Sequence, residues 1–424
     1  MRAQAERPKV IKGASWLCPA TGRRGDGDLF IQDGRLVDAP GADAEVVVAR
    51  GLVVMPHFVE LAAHLGDPGY LWREDLNSGS AAGALGGFGL VVATPDTDPV
   101  IDRGALLGDL QARASGVTGA EVRFAGALTI GLKGDELAEI GSLVDAGAVA
   151  LSDGGSAIAD GLVLRRALDY ACPFGLPVLL RPGEPLLEAD GVVHEGAVAL
   201  EVGLRGIPAA AEEIGVARAV ALARQTGARV HLNSISTARS VEQVRNARKQ
   251  GVQVTASVSA RALLLTDADI DRSGYDTALR LIPPLRPEAD RLVLVDAVRN
   301  GDVCLTSGHF PLSRVEKEHE FERAMPGAAG LETAFSAALT ALDGDLEAVG
   351  RALAVLPAQL LGRAPRIEVG AMANLVLVDA AATFEAARPT ASRGINEPLA
   401  GRSLCGRVLA TMVAGRWAHS SIPA

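Results

Sequence analysis

The chain has 424 residues, 48% hydrophobic and 22% charged, with 41 basic against 51 acidic side chains and a formal charge of −10. This is the composition of a folded, core-rich protein and excludes a disordered one. No basic cluster is dense enough to neutralise a nucleic-acid backbone or an anionic membrane, and 4% aromatics offers little to stack on bases.

In chain order, the opening MRAQAERPKVIKGASWL contains no signal-peptide core, and no later run approaches the ~20 apolar residues of a membrane helix. A cytoplasmic protein is therefore expected. GDLFIQDGRLVDA sets Asp-Gly between two short apolar runs, a hairpin signal. Short apolar strands then recur: LVVMP (52–56), GLVVATP (89–95), VRFAGAL (122–128), AVALS (148–152), PVLLR (177–181), RVHLN (229–233), VQVTASV (252–258) and VCLTS (303–307). Helical patterns lie between them, as in 212–227 and 237–251, and two more follow at 330–342 and 346–362. Eight strands alternating with helices fit a (β/α)8 barrel better than an open sheet. GAMANLVLVDA (370–380) and GRVLATMVAGRWA (406–418) read as strands again. The expected architecture is a TIM-like barrel over 54–362 and a small β-sandwich domain from both termini, 1–53 and 363–424; two unrelated β appendages are the alternative. Cys18, Cys172, Cys304 and Cys405 lack metal-ligand or redox spacing and read as small buried hydrophobes.

In a barrel, chemistry sits at the C-terminal ends of the strands. Those ends read PHFVELAAHLGDPG (56–69), ATPDTDP (93–99), LSDGG (151–155), LLRPGEP (179–185), HLNSIST (231–237) and TSGHFP (306–311). Together they resemble the dihydroorotase branch of the amidohydrolase superfamily. VELAAHLGDPG is similar to that family's Asp-x-His-x-His-x-Arg-x-Pro-Gly, TPDTDP to Met-Pro-Asn-Thr-x-Pro, LSDGG to Ser-Asp-Asp-Gly, and VHLNSIST to His-x-x-His-x-Ser-Thr. IPPLR (282–286) is similar to Asn-Pro-Pro-Leu-Arg, TSGHFP to Thr-Asp-His-Ala-Pro, PGAAGLET (326–333) to Gly-x-x-Gly-Leu-Glu-Thr, and INEPLAGRSLCGRV (395–408) to the C-terminal Asn-x-Pro-Phe-x-Gly stretch. The order of these pieces spans nearly the whole chain.

The resemblance implies zinc held by histidines and carboxylates, where a metal makes hydroxide at neutral pH. Carried over position by position, the first-strand pair is Ala62 and His64, the fourth-strand carboxylate is Asp153 followed by Gly154, and the fifth-strand histidine is Arg181. The sixth-strand histidine is Ser234. The eighth-strand aspartate, also the general base, is Ser307, followed by Gly308. Guanidinium is no ligand, and serine is a poor ligand and a poor base. His309 would restore a ligand if the register slipped by one. The positions for a substrate carboxylate are Gly66 and Asp96, and Ile282 replaces an asparagine; a lost cation and a gained anion disfavour an anionic substrate.

The leading expectation is thus a non-catalytic homologue with no cofactor. By resemblance it would act as an assembly partner of the aspartate carbamoyltransferase catalytic chain in a homo- or hetero-oligomer. The alternatives are an active cyclic amidohydrolase with a reduced zinc site on His64 and Asp153, and a ligand sensor. Arg181 is expected to replace the metal's charge by pairing with Asp153, directly or through one water, and His231 to serve a structural hydrogen bond.

Overall fold

The computed structural model describes residues 7–39 and 41–422; residues 1–6 and 423–424 of the two expected β segments lie outside the described residues. Five strands open the chain: β1 (Lys9–Cys18), β2 (Arg23–Gln32), β3 (Arg35–Val37), β4 (Glu45–Val48) and β5 (Val53–Pro56). The Asp33-Gly34 turn joins β2 to β3 with both residues at positive φ, 49° and 76°, as a two-residue hairpin of this twist demands.

The barrel strands are β6 (Phe58–Ala63), β7 (Phe88–Ala93), β8 (Glu121–Ala127), β9 (Ala150–Ser152) and β10 (Val178–Leu180). A two-stranded excursion, β11 (Val193–His194) and β12 (Gly206–Ile207), precedes β13 (Val230–Leu232), β14 (Val254–Ser259) and β15 (Cys304–Thr306). The order β15-β14-β13-β10-β9-β8-β7-β6 is parallel throughout. Crossover helices include Ala209–Thr226, ended by Gly227 at φ 74°, and Ala238–Lys249, whose first turn is capped by Thr237 accepting from the Ser240 amide. The ring is nearly closed: instead of a β6–β15 ladder, Glu60 on β6 accepts from Thr306 Oγ1 (2.6 Å) and the Ser307 amide (2.6 Å), and the His64 amide donates to the His309 carbonyl (3.0 Å). Val59, Leu61, Leu90, Val92, Ala125, Ala150 and Leu179 fill the barrel, plugged from below by Ala358 and Leu360.

The chain ends with β16 (Leu375–Glu385), β17 (Ser403–Val413) and β18 (Arg416–Ser420). These join β1–β5 in one eight-stranded sheet through the antiparallel β5–β16 pair. The barrel with a sheet drawn from both termini is the expected fold. The first strand differs. LVVMP is β5 and lies in the terminal sheet, which therefore reaches Pro56, three residues past the expected boundary at 53; the barrel begins with FVELAA. Both runs are apolar and buried, so local pattern could not tell which sheet each would join.

Candidate functional site

The strand ends place the expected residues around one mouth, but in new partnerships. His64 follows β6, and its Nδ1 lies 2.6 Å from Asp96 Oδ2 in the loop after β7. Thr94 Oγ1 donates to the other Asp96 oxygen at 2.5 Å. Burial raises the Asp96 pKa, but the His64 charge and these hydrogen bonds outweigh it, so the carboxyl sits below its ordinary value. An ionised Asp96 only accepts, so Nδ1 carries a proton, and in the neutral ring the lone pair is on Nε2. Phe310 stacks on the imidazole, with centroids 4.2 Å apart and planes at 16°. Asp96 was expected as a degenerate substrate-pocket position and His64 as a vestigial ligand position; the fold makes them an oriented pair. The 32-residue separation hides this in the sequence.

Asp153, after β9, is buried, with Oδ1 accepting the Gly155 amide (3.0 Å) and Oδ2 the Arg181 amide (2.8 Å). Burial pushes its pKa up to about 7 against those two bonds. The Arg181 guanidinium makes no direct pair with Asp153. Only the Arg181 backbone reaches Asp153; its guanidinium forks onto Glu188 (2.7 and 2.9 Å) and donates Nε–H to the Gly155 carbonyl (2.7 Å). Glu188 wins because it offers both oxygens in the plane a guanidinium needs, whereas both Asp153 oxygens are already engaged.

The remaining expected positions are structural. Ala62 donates its amide to Glu60 Oε1 (3.0 Å). Ser234 sits at φ 55° and donates its amide to Ser257 Oγ. Ser307 is buried, held through its amide by Glu60, with Oγ accepting the His309 amide (3.2 Å). His309 turns away from the mouth, its Nε2 against buried Glu74 (3.3 Å). Gly66, at φ 61°, has no room for arginine: a Cβ there would stand 2.8 Å from the Tyr70 carbonyl. Ile282 is half-exposed and, with Arg181, Glu188, Ser234, Glu212 and Arg286, lines a narrow crevice.

Two of the buried carboxylates, Glu60 and Glu212, carry structural roles that no sequence motif announced. Glu60 closes the barrel, as above. Glu212 accepts from the Ser236 and Thr237 amides (2.8 and 3.0 Å), from Ser240 Oγ (2.7 Å) and from Arg286 Nη2 (3.3 Å). Arg286 also donates to His194 Nδ1 (3.0 Å), and burial and this cation hold the His194 pKa below its usual value. The acid in the first turn of 212–227 was the available signal.

Zinc does not fit this donor set. His64 Nε2 is the one free imidazole donor at the mouth among the described residues, both Asp153 oxygens accept backbone N–H groups, and a guanidinium occupies the fifth strand end. Among the described residues no group of three or more His, Cys, Asp or Glu is placed to hold a metal ion.

The sequence profile of the Dihydro-orotase-like family matches residues 51–240. Proteins called dihydroorotase from Anaeromyxobacter dehalogenans strain 2CP-1 and from Pelotomaculum thermopropionicum are each 40% identical to the chain, covering 96% of it and 97% of their own length. Among solved structures, the L-hydantoinase (dihydropyrimidinase) of Arthrobacter aurescens superposes with a TM-score of 0.85 at 22% identity, over 98% of this chain and 96% of its own. The dihydropyrimidinase of Brevibacillus agri gives 0.82 at 20%, over 97% and 95%; at these identities the likeness is one of fold. The full-length dihydroorotase relatives overturn the expectation of a non-catalytic chain. That expectation equated lost metal ligands with lost chemistry, yet Asp96 orients the His64 imidazole at the mouth. The expected carbamoyltransferase partnership rested on the same inactivity and has no support of its own. With 40% identity along almost the whole of both chains, and the strand-end segments arranged in order around one barrel mouth, the chain belongs to the dihydroorotase family.

Proposed function

We propose that the protein is an active cyclic amidohydrolase of the dihydroorotase type, opening or closing a cyclic amide, and that it works in the cytoplasm. Its 40% identity to dihydroorotases over their full length carries the reading. The oriented imidazole supports a route using the chain's own residues. Asp96 fixes His64 with Nε2 free, and the side chain is about one-fifth exposed at the mouth. In ring opening, Nε2 takes a proton from water while the oxygen adds to the amide carbon. The carbon–nitrogen bond then breaks, and the imidazolium returns the proton to the departing nitrogen. Asp96 stabilises the imidazolium between the two transfers. Such base catalysis is worth roughly 10²–10⁴ in rate.

Purified protein is expected to open dihydroorotate, hydantoin or dihydrouracil with saturable kinetics that survive chelation. His64→Ala should abolish turnover, and Asp96→Asn should lower kcat by about 10²–10⁴ with little change in KM, because it releases the tautomer rather than the pocket. Absence of saturable turnover on all three substrates overturns the activity. Loss on chelation with recovery on added zinc overturns the metal-free route.

A further inference from the structure

The hydrogen bond from His64 to Asp96 fixes one atom of the imidazole and leaves its plane free to tilt about that bond, because the outer torsion of histidine is broad. Proton transfer with water needs Nε2 aimed along one direction. A second restraint must therefore hold the plane, and Phe310 is placed to supply it. Its ring lies against the imidazole, with centroids 4.2 Å apart and planes at 16°. A flat face over a flat face blocks tilt toward it. The electron-rich face of a phenyl ring also attracts a cation at this range, which favours the imidazolium formed between the two transfers.

Phe310 is half-buried in the loop after β15, and its backbone is held on both sides. Its amide donates to the Ala328 carbonyl (2.7 Å), and its carbonyl accepts from Asn396 Nδ2 (3.0 Å). Asn396 belongs to the connection between β16 and β17, residues 386–402, and is anchored in turn. Its Oδ1 accepts the Leu312 amide (2.9 Å), and its carbonyl accepts the Ala329 amide (3.0 Å). Gly327 backs the base of the side chain so closely that a Cβ there would stand 3.1 Å from Phe310 Cβ and Cγ. Arg73 lies over the same ring, with Cζ 5.9 Å from its centroid, and is itself fixed by Glu316 (2.6 Å) and by the Tyr70 ring (4.4 Å). Glu316 also neutralises that guanidinium, so it does not oppose a charge on His64. The loop after β6, the loop after β15 and the connection from the terminal sheet thus converge on one ring.

We propose that Phe310 is a positioning residue for the amidohydrolase reaction: it fixes the plane in which His64 presents Nε2, while Asp96 fixes the tautomer. The proposal rests on the catalytic reading of His64 given above. It adds that the restraint requires a flat face and not merely apolar bulk.

The test compares Phe310→Leu, which keeps apolar bulk without a flat face, with Phe310→Tyr, which keeps the face, in full-length protein carrying labelled histidine. The His64 signals are identified by their absence from His64→Ala. Without substrate, the Cε1–H bond of His64 in the unmodified protein should be as ordered as rigid backbone, with an order parameter of about 0.85. In Phe310→Leu it should fall below about 0.6, and in Phe310→Tyr it should recover. On the substrate that the unmodified protein opens, Phe310→Leu should lower kcat per folded chain by about 10–10²-fold with little change in KM, and Phe310→Tyr should restore it. A role in stability alone would lower the folded fraction and leave both ring order and kcat per folded chain as they were. An equally ordered ring in Phe310→Leu, an unchanged kcat, or a loss that Phe310→Tyr does not restore overturns the positioning role. Ring order is read without substrate, so a ring that loosens in Phe310→Leu beside an unmodified protein without turnover overturns the amidohydrolase reading and leaves the restraint standing; the two failures are told apart.

Discussion

At the scale of single residues, Asp153 offers the sharpest physical test. The fold moves its pKa from 3.8 to about 7 because burial penalises the charged form more than two amide bonds favour it. Between those values the folded chain holds a proton that the unfolded chain has released. Stability from this group is therefore greatest below about pH 4, falls as pH rises to about 7, and then levels. Asp153→Asn removes the titration. Relative to the unmodified protein, the variant should gain stability progressively across that window, up to about 4 kcal/mol at an upper limit. Denaturant midpoints at a series of pH values measure the slope, which is independent of the fixed cost of placing an amide on two N–H donors. Parallel pH profiles for the two proteins would contradict the assignment. His231 shifts the other way: burial pushes its pKa down to about 3, so it remains neutral.

At the scale of elements, the joint between β6 and β15 depends on one side chain. Glu60 is fully buried and accepts from the Ala62 amide, Thr306 Oγ1 and the Ser307 amide, where a backbone ladder would otherwise close the ring. Glu60→Ala leaves three donors unsatisfied, each costing about 1 kcal/mol or more, so a loss of at least about 3 kcal/mol is expected in denaturant unfolding. Glu60→Gln keeps the shape and one acceptor and should cost less. A loss below about 1 kcal/mol for the alanine variant would show that the backbone closes the barrel alone. The helix Ala209–Thr226 is tied to the loop after β13 through Glu212 and Arg286. Arg286→Ala strands that carboxylate and should cost about 3–5 kcal/mol, with Glu212→Gln in the same chain recovering part of it. Strictly additive losses in that double-mutant cycle would contradict the coupling.

For the whole molecule, the two ends of the chain complete one sheet, and that sheet packs on the barrel. β16 covers β5 over Val53–Pro56, Thr411 Oγ1 donates to the Ala84 carbonyl (2.6 Å), and Val376, Val378 and Val408 share the main core with Phe58 and Phe88. Deleting residues 375–424 would uncover β5 and leave an apolar strand edge. The truncated chain is expected to aggregate or to lose its cooperative thermal transition; a monodisperse product with an unchanged melt would mean the barrel stands alone. No helix among the described residues is long and apolar enough to cross a membrane.

The sequence by itself determined the barrel, seven of its eight strands, the terminal sheet and the family. Alternation of short apolar runs with amphipathic helices is local information, and the strand-end motifs keep their chain order. It also set the expectation that Arg181, Ser234 and Ser307 would not serve as zinc ligands, which rests on residue chemistry alone. Only the tertiary structure decided that Asp96 orients His64, that Glu188 rather than Asp153 takes the Arg181 guanidinium, and that Glu60 closes the barrel. Those contacts join residues 7 to 246 positions apart, and which acceptor a donor finds depends on direction and burial that no spacing records.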